Sequence, residues 1–157
     1  MKQKVYLETS VISYLASRPS RDLIMAAHQQ ITQDWWEKRR GNFELLVSQL
    51  VLQEVSGGDK NAAEQRTKFV KGLAQVQTTD EVIALAQKLL QVSALPASEF
   101  ADAVHVALAA VHGVDYLVTW NLKNIANAAT RQRIESTCRE SGFEPPIICT
   151  PEELMEE

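Results

Sequence analysis

The segment Phe100–Val111 (FADAVHVALAAV) constrains the fold most, because it is apolar on nearly every side. Apolar residues at helical spacing all round predict a helix that lies inside the protein rather than on its surface. Asp102 stands in the first turn of this helix, where a carboxylate without a partner would be costly to remove from water. The sequence therefore predicts that the helix N-terminus, a basic group or a metal ion compensates the charge of Asp102.

Short apolar segments alternate with helical segments along the chain. Residues typical of strands occupy segments 4–7, 43–47, 73–76, 116–118 and 147–149. Helical segments separate them, including one capped by Asp80 and one over 122–141. This alternation predicts an α/β protein with a three-layer α/β/α arrangement and a mainly parallel central sheet. A length of 157 residues suits a single domain over 1–157.

Composition argues against several classes of protein. No apolar run approaches the about 18 residues of a membrane span, and no apolar signal-peptide core follows the N-terminus. Two cysteines, Cys138 and Cys149, suit a reducing compartment, so we expect a cytoplasmic protein without membrane association and with inert thiols. A net charge of −4 argues against nucleic-acid binding by bulk electrostatics. No glycine-rich phosphate loop supports a small-molecule enzyme on a doubly wound sheet.

Four oxygen-bearing side chains are predicted at the carboxyl edge of the sheet, where α/β proteins bind ligands. They are Glu8 after the first strand, Glu54 on the face of its helix that carries Leu50 and Val51, Asp102, and Asn121 after the fourth strand. Oxygen ligands without a basic neighbour suit Mg²⁺ or Mn²⁺.

Each of these side chains also has a structural interpretation. Asp102 could stabilise the helix N-terminus, and Glu8 could be a solvated strand-end acid. Glu54 could reach solvent or pair with a lysine, and Asn121 could form an Asx turn. His105 and His112 are predicted as hydrogen-bonded core histidines rather than ligands.

Four segments in register resemble the PIN domain family, and more narrowly its VapC-type toxins of bacterial type II toxin–antitoxin pairs. They are the segments 5–12 (VYLETSVI), 102–107 (DAVHVA) and 119–121 (TWN), and the position of the single residue Glu54. The resemblance implies a single-stranded RNA endonuclease that uses Mg²⁺ or Mn²⁺, dimerises and is inhibited by a small antitoxin. It implies that Glu8, Glu54 and Asp102 are catalytic and hold the metal, with Asn121 supporting. Substrate contacts are expected from Thr9, Ser10, Thr119, Lys123, Arg131 and Arg133.

Two residues depart from the family pattern. Glu8 is one methylene longer than the usual Asp, which moves its carboxylate by about 1 Å. Asn121 stands where many members place another Asp, so one negative charge is missing. These departures leave a second hypothesis open, in which the chain is a catalytically impaired PIN-like fold that serves as an RNA- or protein-binding module.

Overall fold

Five parallel strands form the centre of the structure, a computed structural model that describes residues 1–92 and 94–155. The strands are β1 (Gln3–Leu7), β2 (Phe43–Ser48), β3 (Ala74–Val76), β4 (Tyr116–Val118) and β5 (Ile147–Cys149). Their order across the sheet is β3-β2-β1-β4-β5, and every neighbouring pair is parallel. The structure thus confirms the predicted fold class and all five predicted strand segments.

Helices connect the strands and form the two outer layers of the α/β/α arrangement. They are α1 (Thr9–Ala16), α2 (Leu23–Arg39), α3 (Gln49–Val55), α4 (Lys60–Val70), α5 (Asp80–Gln91), α6 (Phe100–Val111) and α7 (Ala128–Glu140). Short 3-10 turns occupy Arg40–Asn42 and Pro151–Leu154. Within residues 1–92 and 94–155, no helix is both long and apolar enough to cross a membrane.

Helix α6 lies in the protein interior, as its sequence predicts. All eight residues of 103–110 are buried, whereas Asp102 in the first turn is only partly buried. The helix ends where Gly113 adopts a φ of +65°, a conformation that costs glycine little because it has no Cβ. The central helix therefore carries its one acidic side chain at the boundary between core and solvent.

Two predicted helix boundaries are wrong. Thr79, not Asp80, caps α5, because the Thr79 hydroxyl accepts the hydrogen bond of the Val82 amide. The predicted helix over 122–141 begins only at Ala128. Before it, the segment 121–127 turns because side-chain amides replace the helical hydrogen bonds: Asn127 Nδ2 donates to the carbonyl of Lys123 at 2.9 Å.

Both cysteine thiols are expected to resist modification in the native protein. Cys138 and Cys149 are buried and free, and burial raises the pKa of Cys138 to about 11 and that of Cys149 to about 12. Because the thiolate is the reactive form, iodoacetamide at pH 8 should leave both unmodified for hours in the folded protein. Mass spectrometry checks this, with the urea-unfolded chain as the control that should be alkylated twice. Rapid labelling of the folded chain would contradict the expectation.

Candidate active site

Glu8 follows β1 directly and is buried, with 6% of its surface exposed. Its Oε1 accepts hydrogen bonds from the Ser10 amide at 3.2 Å, from the Ser10 hydroxyl, and from the Thr119 hydroxyl at 2.6 Å. The bond from the Ser10 amide makes Glu8 the N-cap of α1. The interpretation of Glu8 as a solvated strand-end acid is therefore wrong, because its carboxylate connects α1 to the end of β4.

Strand register brings these residues together. Leu7 of β1 pairs with Val118 of β4, so the residues that follow each strand are neighbours at the carboxyl edge. The Glu8 amide donates to the Val118 carbonyl at 3.1 Å, which continues the ladder by one residue. Residues 111 positions apart in sequence thus meet because two parallel strands end at the same level.

Glu54 lies on α3 at the edge of its buried face, with 35% of its side chain exposed. The inward-facing position predicted for it is wrong, since Val51 and Val55 are the buried residues of α3. Glu54 Oε1 accepts hydrogen bonds from the Thr9 hydroxyl at 2.6 Å and from His105 Nε2 at 2.7 Å. Partial burial acts to raise the pKa of Glu54, but the hydrogen bonds from His105 and Thr9 act to lower it, and the pKa lies below its usual value.

The partner of Asp102 is a residue that the sequence did not single out. Asp102 Oδ2 accepts a hydrogen bond from Asn124 Nδ2 at 3.0 Å, and Asn124 is 8% exposed. The only hint of this role in the sequence was the side-chain amide of Asn124, three residues after Asn121. It was missed because Asn124 lies in a segment that was wrongly predicted as helical. Among the described residues, no lysine or arginine forms an ion pair with Asp102.

Asn121 adopts the turn conformation that its structural interpretation expects. Its Oδ1 accepts a hydrogen bond from the Asn124 amide at 3.1 Å, and its own amide donates to the Thr119 hydroxyl at 2.9 Å. The side chain therefore shapes the turn that presents Asn124 to Asp102. A metal-supporting role for Asn121 stays a prediction.

One chain of hydrogen bonds links the carboxylates of Glu8 and Asp102. It runs from Glu8 to the Thr119 hydroxyl, to Asn121, to Asn124 and to Asp102. Glu54 joins the same edge of the sheet through the hydroxyl of the residue that follows Glu8. The three predicted metal-binding acids are thus brought to one edge of the sheet, each held by hydroxyl, amide or imidazole groups.

The predicted substrate-binding residues fall into two groups. Three hydroxyls orient acids: that of Thr9 contacts Glu54, and those of Ser10 and Thr119 contact Glu8. The basic residues lie further along the chain, Lys123 exposed in the turn beside Asn124, and the two arginines on α7. Arg133 is exposed, whereas Arg131 is only partly so.

The two histidines for which a core position is predicted, His105 and His112, differ in burial. His105 is fully buried and hydrogen-bonded, as predicted, with Tyr6 on one side and Glu54 on the other. His112 is hydrogen-bonded as well, since its Nε2 lies 2.6 Å from the carbonyl of Gln77, but it is partly exposed at the end of α6. The core position predicted for His112 is therefore wrong, because the last turn of α6 emerges from the interior.

The oxygen donors at this edge fit a hard divalent cation in chemistry. The hydrogen bonds of Glu8 and Glu54 all use Oε1 and that of Asp102 uses Oδ2, so each carboxylate keeps a second oxygen. In the part of the chain that the structure describes, however, no three acidic, histidine or cysteine side chains stand close enough to hold one ion together. An ion would therefore need a shift of the side chains or further ligands from a substrate.

Comparison with known proteins agrees with this architecture. The sequence model of the PIN domain matches residues 5–129. Among solved structures, the fold is similar to the crystal structure of VapBC2 from Rickettsia felis bound to a DNA fragment from their promoter, with a TM-score of 0.61. The two sequences are 17% identical over 94% of this chain and 98% of that chain. No curated protein sequence matches significantly.

Members of the matched family are generally nucleases and typically use divalent metal ions. The match begins within β1 and ends in the first turn of α7, so it spans the carboxyl edge described above. Since it covers most of the 157 residues, the chain belongs to the PIN domain family.

Proposed function

We propose that this protein is an RNA endonuclease dependent on Mg²⁺ or Mn²⁺, and the toxin of a type II toxin–antitoxin pair. The observation that carries the proposal is that Glu8, Glu54 and Asp102 lie along one edge of the sheet, and no lysine or arginine of the described residues forms an ion pair with them. Membership of a family of nucleases supports the same chemistry.

The three carboxylates would hold the metal ion, which would supply charge neutralisation at the phosphate and an activated water for in-line attack. The chain itself orients these ligands. Thr119 and Ser10 fix the carboxylate of Glu8, and Asn124 fixes that of Asp102. Lys123, exposed in the adjacent turn, would contact an RNA phosphate.

Association with a small antitoxin is proposed from fold likeness and from one surface feature. The similar Rickettsia felis structure is a VapBC2 complex. At the start of α2, three consecutive apolar side chains are exposed: Leu23 by 86%, Ile24 by 70% and Met25 by 42%. A partner protein or a second copy of the chain would remove this apolar surface from water. Co-purification with the product of a small adjoining open reading frame tests the antitoxin.

The binding-module hypothesis has specific support as well. Glu8 is engaged by three hydrogen bonds, Asn121 Oδ1 is used by the Asn124 amide, and the described residues contain no preformed group of three metal-binding acids, histidines or cysteines. A PIN-like fold that has lost catalysis is expected to show the same features. Activity therefore has to be measured on both the native chain and a chain that carries the usual acids.

The test compares the native chain with the double variant Glu8→Asp, Asn121→Asp. We expect the native chain to cleave single-stranded RNA with Mn²⁺ or Mg²⁺ and to stop when EDTA removes the metal. The double variant should cleave at a rate within roughly tenfold of the native chain, because both retain the carboxylates of Glu54 and Asp102. Gel analysis of end-labelled RNA measures the rates. Cleavage by the double variant alone would show that the native chain is not a working nuclease and would favour the binding-module hypothesis.

A further inference from the structure

Behind Glu54 lies a buried row of polar side chains, Ser48, Tyr6 and His105. All three are fully buried, although the surrounding core is apolar. The Tyr6 hydroxyl lies 2.8 Å from Ser48 Oγ and 2.7 Å from His105 Nδ1, and His105 Nε2 lies 2.7 Å from Glu54 Oε1. A buried polar group without a hydrogen-bond partner is costly, so each hydrogen in this row should lie between a donor and an acceptor. This requirement determines which atom of each pair carries the hydrogen.

The groups at the two ends of this row limit where its hydrogens can lie. Glu54 is ionised and can only accept, so His105 Nε2 must carry a hydrogen. At the other end, Ser48 Oγ accepts the Val51 amide at 3.3 Å, which leaves the Ser48 hydroxyl hydrogen to be placed. Tyr6 keeps its own hydrogen, since burial raises the pKa of its hydroxyl far above the usual value.

Two contacts, Ser48–Tyr6 and Tyr6–His105, remain for these hydrogens. The Ser48 hydroxyl donates to the Tyr6 oxygen, and the Tyr6 hydroxyl donates to an unprotonated Nδ1 of His105, so both contacts are filled. A hydrogen on Nδ1 would place three hydrogens in two contacts and leave one without an acceptor among the residues that the structure describes. The alternative arrangement is therefore disfavoured by the cost of a buried unsatisfied donor.

We infer that His105 is a positioning residue for Glu54, and that Tyr6 holds it in the neutral tautomer with the hydrogen on Nε2. Together with Thr9, this hydrogen fixes Oε1 of Glu54 and leaves Oε2 for a metal ion. The use of that oxygen rests on the proposed function, whereas the tautomer does not. Partners of this kind behind a metal-binding carboxylate commonly change metal affinity by about 10- to 100-fold when they are lost.

Nitrogen NMR tests the tautomer without metal or RNA. In uniformly ¹⁵N-labelled protein at pH 7.5, the ring of His105 should show a protonated Nε2 and an unprotonated, hydrogen-bonded Nδ1. In Tyr6→Phe, which removes only the hydroxyl, the Nδ1 resonance should move toward that of an unbonded ring nitrogen. A hydrogen on Nδ1 in the native protein, or no change in the variant, would overturn the assignment.

A matched pair of variants tests the positioning role. In His105→Gln the amide nitrogen can replace Nε2 as donor to Glu54, whereas in His105→Asn the shorter amide reaches only the position of Nδ1. Calorimetric Mn²⁺ affinity should stay within about threefold of the native value in the first and fall about tenfold or more in the second. Thermal unfolding of both variants must be measured, since both lose the ring.

Equal affinities in two variants of equal stability would reduce His105 to a packing role and overturn the inference. If the asparagine variant does not fold, Tyr6→Phe replaces it, with an expected loss of Mn²⁺ affinity of about threefold or more and unchanged affinity as the contrary result. If the native chain neither binds Mn²⁺ nor cleaves RNA, the proposed function fails, and the NMR result alone decides the inference.

Discussion

Replacement of Asp102 by asparagine is expected to lower the rate of metal-dependent RNA cleavage by at least about 100-fold. The substitution removes one negative charge from the carboxyl edge but keeps the size of the side chain. Because the amide oxygen of asparagine can still accept the hydrogen bond from Asn124 Nδ2, the local structure should persist. Initial rates on end-labelled RNA and calorimetric Mn²⁺ binding measure the effect.

Asp80→Asn is the matched control for this variant. Asp80 is exposed in the first turn of α5, as Asp102 lies in the first turn of α6, so both substitutions remove a charge that favours a helix N-terminus. That effect amounts to about 0.3–1 kcal/mol of stability and should be similar in the two variants. Only Asp102→Asn should lose activity and metal binding. Activity of Asp102→Asn within about threefold of the native chain would instead favour a helix-stabilising role for this acid.

Replacement of Trp35 by alanine is expected to lower the free energy of unfolding by about 3–5 kcal/mol. Trp35 is fully buried on α2 and stacks on Phe43 of β2, with 6.0 Å between ring centroids. Its removal would leave a large cavity next to Phe43, at the amino end of β2, whereas the acids lie at the carboxyl edge of the sheet. Urea unfolding followed by circular dichroism measures the change, and RNA cleavage should persist wherever the variant is folded.

The neighbouring tryptophan provides the control. Trp36 is only partly buried, meets Phe69 edge-on and carries the guanidinium of Arg40 over its ring at 4.8 Å. Trp36→Ala should therefore cost roughly 1–2 kcal/mol, less than half of the Trp35 effect. Trp35→Phe should also be mild, since Trp35 Nε1 is buried and has no hydrogen-bond partner among the described residues. Equal losses of unfolding free energy in Trp35→Ala and Trp36→Ala would contradict the prediction, which depends on the deeper burial of Trp35.

Local patterns were sufficient to predict most of the architecture. The five strands and the interior position of α6 follow from the spacing of apolar residues. The failure over 122–127 has a local origin as well, because Asn121 and Asn127 divert the backbone hydrogen bonds of a segment whose composition suits a helix.

The sequence by itself determined which side chains reach the carboxyl edge of the sheet, since the end of a strand or the start of a helix is a local property. It placed Glu8 and Asp102 there, but not their partners. The tertiary structure decided that Glu8 is held by Thr119, Glu54 by His105, and Asp102 by Asn124. These pairings depend on strand register and helix packing, because the partners are 22 to 111 positions apart in the sequence. Contacts between residues so far apart leave no local pattern in the sequence from which they could be predicted.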